Sequence, residues 1–161
     1  MVVLLVVLML TLGAARIEAA PIDLYLHGTG SNGNPSVLFL NEVASAATTA
    51  EYQDSAGVNF NGGNPWKDIG SWPAAAANGA QTVNALGALR VWIGLKNSDD
   101  QGTQFDLRAE VYTNNTLVAS GQTLCITGVT RNANQAREVS VTPGAASNGS
   151  MAAGDILSVR M

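Results

Sequence analysis

The sequence predicts an all-β fold, an antiparallel β-sandwich, on three observations. Apolar and polar residues alternate with a period of two in segment after segment, while helical periodicity is almost absent. Clusters of Gly, Asn and Pro separate those segments, as turns between short strands do. Only 12% of the residues are charged, which suits a loop-rich extracellular domain better than a helical one. The length allows one domain with a real core and is too short for two ordinary ones.

The elements follow in chain order. Residues 2–12 are apolar apart from Thr11, and "GAARIEAAP" comes next. An apolar core of about 7–15 residues with small residues behind it reads as a secretory signal peptide. It covers residues 1–19, with cleavage near Ala19 or Ala20, although no Lys or Arg precedes the run. A membrane span needs about 20 apolar residues, so membrane contact is expected only through an uncleaved signal. Residues 20–161 are read as a single sandwich domain. "GDILSVRM" stops within a strand-like alternation, so the expectation is a domain incomplete at its C-terminus.

Within that domain Ile22, Leu24 and Leu26 alternate with Asp23, Tyr25 and His27. "SVLFLNEV" is mostly apolar, the pattern of a strand covered on both faces. "WPAAAANGAQTVNALGAL" reads as a loop with at most a short helical turn, since Asn78, Gly79 and Gly87 interrupt its alanines. In "LRVWIGLK", Leu89, Val91, Ile93 and Leu95 share one face, and Trp92 on the other is expected to cover a second sheet or an edge. In "FDLRAEVY", Phe105, Leu107, Ala109 and Val111 oppose Asp106, Arg108, Glu110 and Tyr112. Asn114 and Asn115 tolerate positive φ and suit a tight hairpin into "TLVASG". "TLCIT", "REVSV" and "DILSVR" supply three more strands. Many short strands of this kind predict an immunoglobulin-like or jelly-roll-like sandwich, with a barrel as the fallback.

The inventory excludes several chemistries. Net charge is −4 and the eight basic residues form no cluster, so no nucleic-acid partner is expected. Gly28, Gly30 and Gly33 spell G-x-G-x-x-G, but Asn34, Pro35 and a strand-like run follow where a dinucleotide site needs a helix. His27 beside Gly28 has the look of a hydrolase oxyanion element, yet no serine sits in a G-x-S-x-G frame and no second histidine exists to act as base. One His and one Cys cannot build the usual zinc site. The chain is therefore read as a non-enzyme, with a fragment of an extracellular hydrolase as the remote alternative. The glycine stretch is expected to be a flexible connection between two early strands.

Binding chemistry has three candidates. Asp99, Asp100 and Asp106 offer hard oxygen ligands for a Ca²⁺ ion, although their spacing is not that of an EF-hand. No other cofactor is expected. Trp66 and Trp72 in "NPWKDIGSWP", together with Tyr52, are candidate platforms for a sugar ring, set against the common alternative that a sandwich buries its Trp. Cys125 is the sole cysteine, so it either pairs with a partner outside this chain or in a missing segment, or is a buried, inert thiol. Asn114-x-Thr116 and Asn148-x-Ser150 match the N-glycosylation pattern, which matters only in a glycosylating host.

"VWIGLKNSDDQGTQFDLRAEVYTNNTLVASGQTLCITGVTRN", with "GGNPWKDIGSW" as a second block, resembles a β-sandwich module recurring in secreted and cell-surface bacterial proteins. The likeness runs from about Leu24 to the end. It implies no catalytic residues, and it implies a further strand and a cysteine beyond Met161. The expected function is an exported, non-catalytic domain with a structural, adhesive or module-packing role. Its expected partners are other domains, surface proteins or a polysaccharide. The alternative is a carbohydrate-binding module, stabilised by calcium if the aspartates bind it.

Overall fold

The computed structural model describes residues 22–31, 33–46, 52–55, 57, 66–83, 85–96, 102–147 and 149–161. The segment read as a signal peptide, residues 1–19, lies outside them. Ten strands run through the described residues. They are β1 (Tyr25–Ser31), β2 (Asn34–Asn41), β3 (Ser71–Pro73), β4 (Gln81–Thr82), β5 (Leu89–Ile93), β6 (Phe105–Thr113), β7 (Thr116–Ile126), β8 (Arg137–Val141), β9 (Ser150–Met151) and β10 (Leu157–Arg160). One 3₁₀ turn, Ala133–Gln135, precedes β8. Every strand pairing is antiparallel. The fold is all-β and sandwich-like, as the alternation predicts.

The main sheet has the order β3-β10-β6-β7. Its inner face is set by β6, where Leu107, Ala109, Val111 and Thr113 are buried while Asp106 and Arg108 are exposed. Facing it is the β5–β8 pair, in which Leu89 opposes Val141 and Val91 opposes Val139. Leu107, Ala109, Ile126, Val129, Val139 and Val141 form one buried cluster between these layers. Val111, Val118 and Ala119 form a second, covered by Leu86, Leu157 and Val159. Both clusters are apolar, so burial against them needs no polar compensation. Strands β4 and β9 make a separate short pair, and the β1–β2 hairpin adjoins β3 through a parallel bridge from Leu40 to Ala74.

Two irregularities give β7 its shape. At Val111/Tyr112 the register shifts by one residue, which turns both Val118 and Ala119 inward. Near Phe105/Leu107 it shifts again, and Cys125 takes φ +56° in the extra residue. The far edge of β7 does not stand open. Gly144 N–H donates to the Ser120 carbonyl at 3.0 Å and Ser147 N–H to the Val118 carbonyl at 2.8 Å. The chain leaving β8 thus covers that edge, a common guard against edge-to-edge pairing.

Several sequence expectations change here. "TLVASG" and "TLCIT" are one 11-residue strand, not two. β2 is not covered on both faces, since Val37 is 55% exposed. Among its described residues the alanine-rich stretch holds β3, a bend and β4, and no helix. Trp92 does not cover a sheet: it is 60% exposed, with the Arg90 guanidinium 5.8 Å from its ring centroid. The glycine stretch is ordered hairpin rather than flexible connection. Gly28 and Gly30 lie within β1, and a strand follows Gly33, as the exclusion of a dinucleotide turn required. His27 stacks on its cross-strand neighbour Phe39 at 5.0 Å, and its Nε2 lies 2.8 Å from the Val43 carbonyl.

The β6–β7 turn forms at Asn114 and Asn115 as predicted, with Asn114 at φ +53°. The Asn114 amide is fully engaged there. It donates to Asp155 and accepts from Ile156 N–H, each at 2.9 Å. Asp155 also accepts from Ala152 N–H at 2.7 Å. These bonds to the charged form, from Asn114 first and Ala152 second, hold the Asp155 carboxyl below its ordinary value. A depressed carboxyl contributes stability above its unfolded pKa and loses it as pH falls through the folded pKa. The melting temperature should therefore fall on acidification, and Asp155→Asn should flatten part of that fall in thermal melts taken from pH 7 down to about pH 2.

Candidate functional site

The outer face of the main sheet carries a row of polar and aromatic side chains. Alternation on β6 places Arg108, Glu110 and Tyr112 on that face. The β10 register sets Arg160 opposite Glu110 and Ser158 opposite Tyr112. Residues 66–68 then pass beside the row and add Trp66 and Asp68. Trp66, Asp68, Arg108, Glu110, Tyr112 and Arg160 line one cleft.

The contacts fall into two adjacent sets along the row. The Arg108 guanidinium lies 5.2 Å from the Trp66 ring centroid and 3.0 Å from the Glu110 carboxylate. The Tyr112 hydroxyl donates to the other Glu110 oxygen at 2.7 Å. Arg160 donates to Asp68 at 2.7 Å. Tyr112 is pushed above its ordinary value of 10, first by its bond to Glu110, then by burial and the Glu110 charge, against a smaller opposing effect of Arg160. Arg160 is raised by its bond and charge pairing with Asp68. A tyrosine whose folded pKa is raised contributes stability below its unfolded value and loses it as pH climbs through the folded one. Alkaline absorbance titration should show a component above pH 10 that Tyr112→Phe removes.

The sequence-derived candidates fare unevenly. Trp66 is 39% exposed and belongs to the row. Trp72 is 5% exposed, packed over Gly70 on the inner side of β3, and cannot offer its ring to a ligand. Tyr52 is exposed beside Gly33, where its carbonyl accepts the Gly33 N–H at 2.9 Å. The three therefore make no common platform. Asp99 and Asp100 lie outside the described residues, so Asp106 alone of the calcium trio is placed. Its carboxylate accepts the Cys125 N–H at 2.9 Å and so secures the bulge opposite it. Cys125 itself is an exposed free thiol.

Arg108, Glu110, Tyr112, Asp68 and Arg160 were not singled out by the sequence. The alternation in "FDLRAEVY" did place the first three on one polar face, and that signal was sufficient to group them. Nothing local pointed to Arg160 or Asp68, which arrive through pairing with distant strands. No protein-family model matches the chain, and no curated protein or solved structure is significantly similar to it.

Proposed function

We propose that this chain is a non-catalytic β-sandwich domain, exported to act on or outside the cell, whose role is contact: structural, adhesive or module-packing. The observation that carries the reading is the row from Trp66 to Tyr112, with the Arg160–Asp68 pair beside it, on the outer face of the main sheet. Its charged groups are bound to one another, an arrangement suited to a fixed recognition surface. The apolar run at the N-terminus supports the same reading.

The test is co-sedimentation of the purified protein with washed cell envelopes, alongside panels of ester and polysaccharide substrates. The expected result is saturable retention with no product formed. Turnover of any panel substrate, or failure to sediment above a control protein, would overturn the proposal. A second reading, carbohydrate binding, is favoured by one specific feature, the exposed Trp66 ring within the row.

A further inference from the structure

The row on the main sheet has a chemistry that narrows what it can hold. Arg108 and Arg160 are matched by Glu110 and Asp68, so the face is charge-balanced. A balanced face exerts little long-range pull on a polyanion or a polycation. An apolar partner fares no better. Covering these four ionised groups with hydrocarbon would strip their water and return no hydrogen bonds.

What remains is a neutral ligand rich in hydroxyls. A guanidinium has five N–H donors and a carboxylate about four acceptor positions, so the ion pairs leave hydrogen-bonding capacity on both partners. Neighbouring hydroxyls donate and accept at once, and can therefore bridge a carboxylate and the guanidinium beside it. The Glu110 carboxylate is held from both sides, by Arg108 and by Tyr112, so its orientation is fixed before a ligand arrives. Trp66, kept in place by Arg108 over its ring, adds an exposed aromatic surface at the end of the row. Such a surface suits the C–H side of a sugar ring.

From this geometry we infer that the outer face of β6 and β10, with Trp66 and Asp68, is a binding site for a neutral polysaccharide. The inference rests on the contact reading above and specifies its ligand. Trp92 supplies an internal control. It is a second exposed tryptophan with an arginine over its ring, but on β5 and outside the row.

The experiment is retention of the full chain on insoluble cellulose, xylan and β-1,3-glucan, with pectate as an anionic comparison. At least one neutral polymer should retain the protein, with affinity little changed between low salt and about 0.5 M salt. Trp66→Ala should weaken retention about tenfold, while Trp92→Ala should leave it unchanged. Circular dichroism would establish that both variants are folded. Three results would overturn the inference: no neutral polymer bound, equal loss in Trp92→Ala, or binding to pectate alone with collapse at high salt. Envelope retention that persists without glycan binding would remove the polysaccharide and leave the contact reading standing.

Discussion

Gly121→Ala is expected to destabilise the fold by about 3 kcal/mol, the upper end for overpacking a fitted site. A β-carbon at Gly121 would overlap the Thr142 carbonyl oxygen and lie 3.0 Å from the Pro143 Cα. Both obstacles are backbone, so no side chain can swing away. Neither strand can retreat easily. Gly121 is paired with Ala109 of β6 in the main sheet. The opposing chain is pinned on either side, by the Thr123 hydroxyl donating to the Ser140 carbonyl at 2.6 Å and by Gly144 N–H donating to Ser120. Urea unfolding should show a lower midpoint at an unchanged slope. Gly79→Ala is the control, since nothing lies within 4 Å of its added carbon; its effect should stay within about 0.5 kcal/mol. Equal effects of the two substitutions would remove the close approach as the reason for glycine at 121.

That glycine also shows where the sequence misleads. Read locally, Gly121 divides "TLVASG" from "TLCIT" and looks like a turn. In the fold it lies inside a continuous strand, because the chain returning from β8 needs the space a side chain would fill. A local reading has no access to that neighbour. Where one face of a strand is buried, by contrast, alternation was decisive: β5 and β6 present the faces their sequences spell out. β2 reads as buried because it is apolar, but no second layer covers Val37. Hydrophobicity recorded the composition of that strand and not its neighbours.

The candidate site follows the same division. Arg108, Glu110 and Tyr112 share a face by their spacing alone, so that part of the row was legible. Arg160 joins through a register formed with Glu110, fifty residues earlier in the chain, and Asp68 through a salt bridge over a still longer span. Asp106 has a structural partner that was hidden for a related reason. An aspartate near other aspartates resembles a cation ligand, while its observed partner, the Cys125 N–H, becomes visible only once β6 and β7 are aligned.

Trp72 carries the second large expectation. Trp72→Ala should cost about 3–5 kcal/mol, whereas Trp66→Ala should cost under about 1 kcal/mol. The two residues look alike in sequence, six positions apart and both near a proline, yet strand geometry separates them. Trp72 is the inward residue of β3, with Ser71 and Pro73 exposed on either side, and pairs with Val159 of β10. Its ring closes over Gly70, where Leu38 of β2 also packs, so the side chain joins the β1–β2 hairpin to the main sheet. Truncation removes an aromatic surface from a site whose walls belong to three separate strands, and such walls collapse poorly into the space left behind. The loss should therefore be local before it is global. In Trp72→Ala, amide exchange should accelerate first at Ala74, whose N–H donates to the Leu157 carbonyl at 2.8 Å beside the Leu40 bridge. Protection across β6 and β7 should persist to higher denaturant, because their pairing and the cluster around Val141 do not involve Trp72. Unchanged unfolding free energy in Trp72→Ala would mean that the hairpin is held by other contacts. It would also return Trp72 to the list of side chains whose reason for being tryptophan lies outside the core.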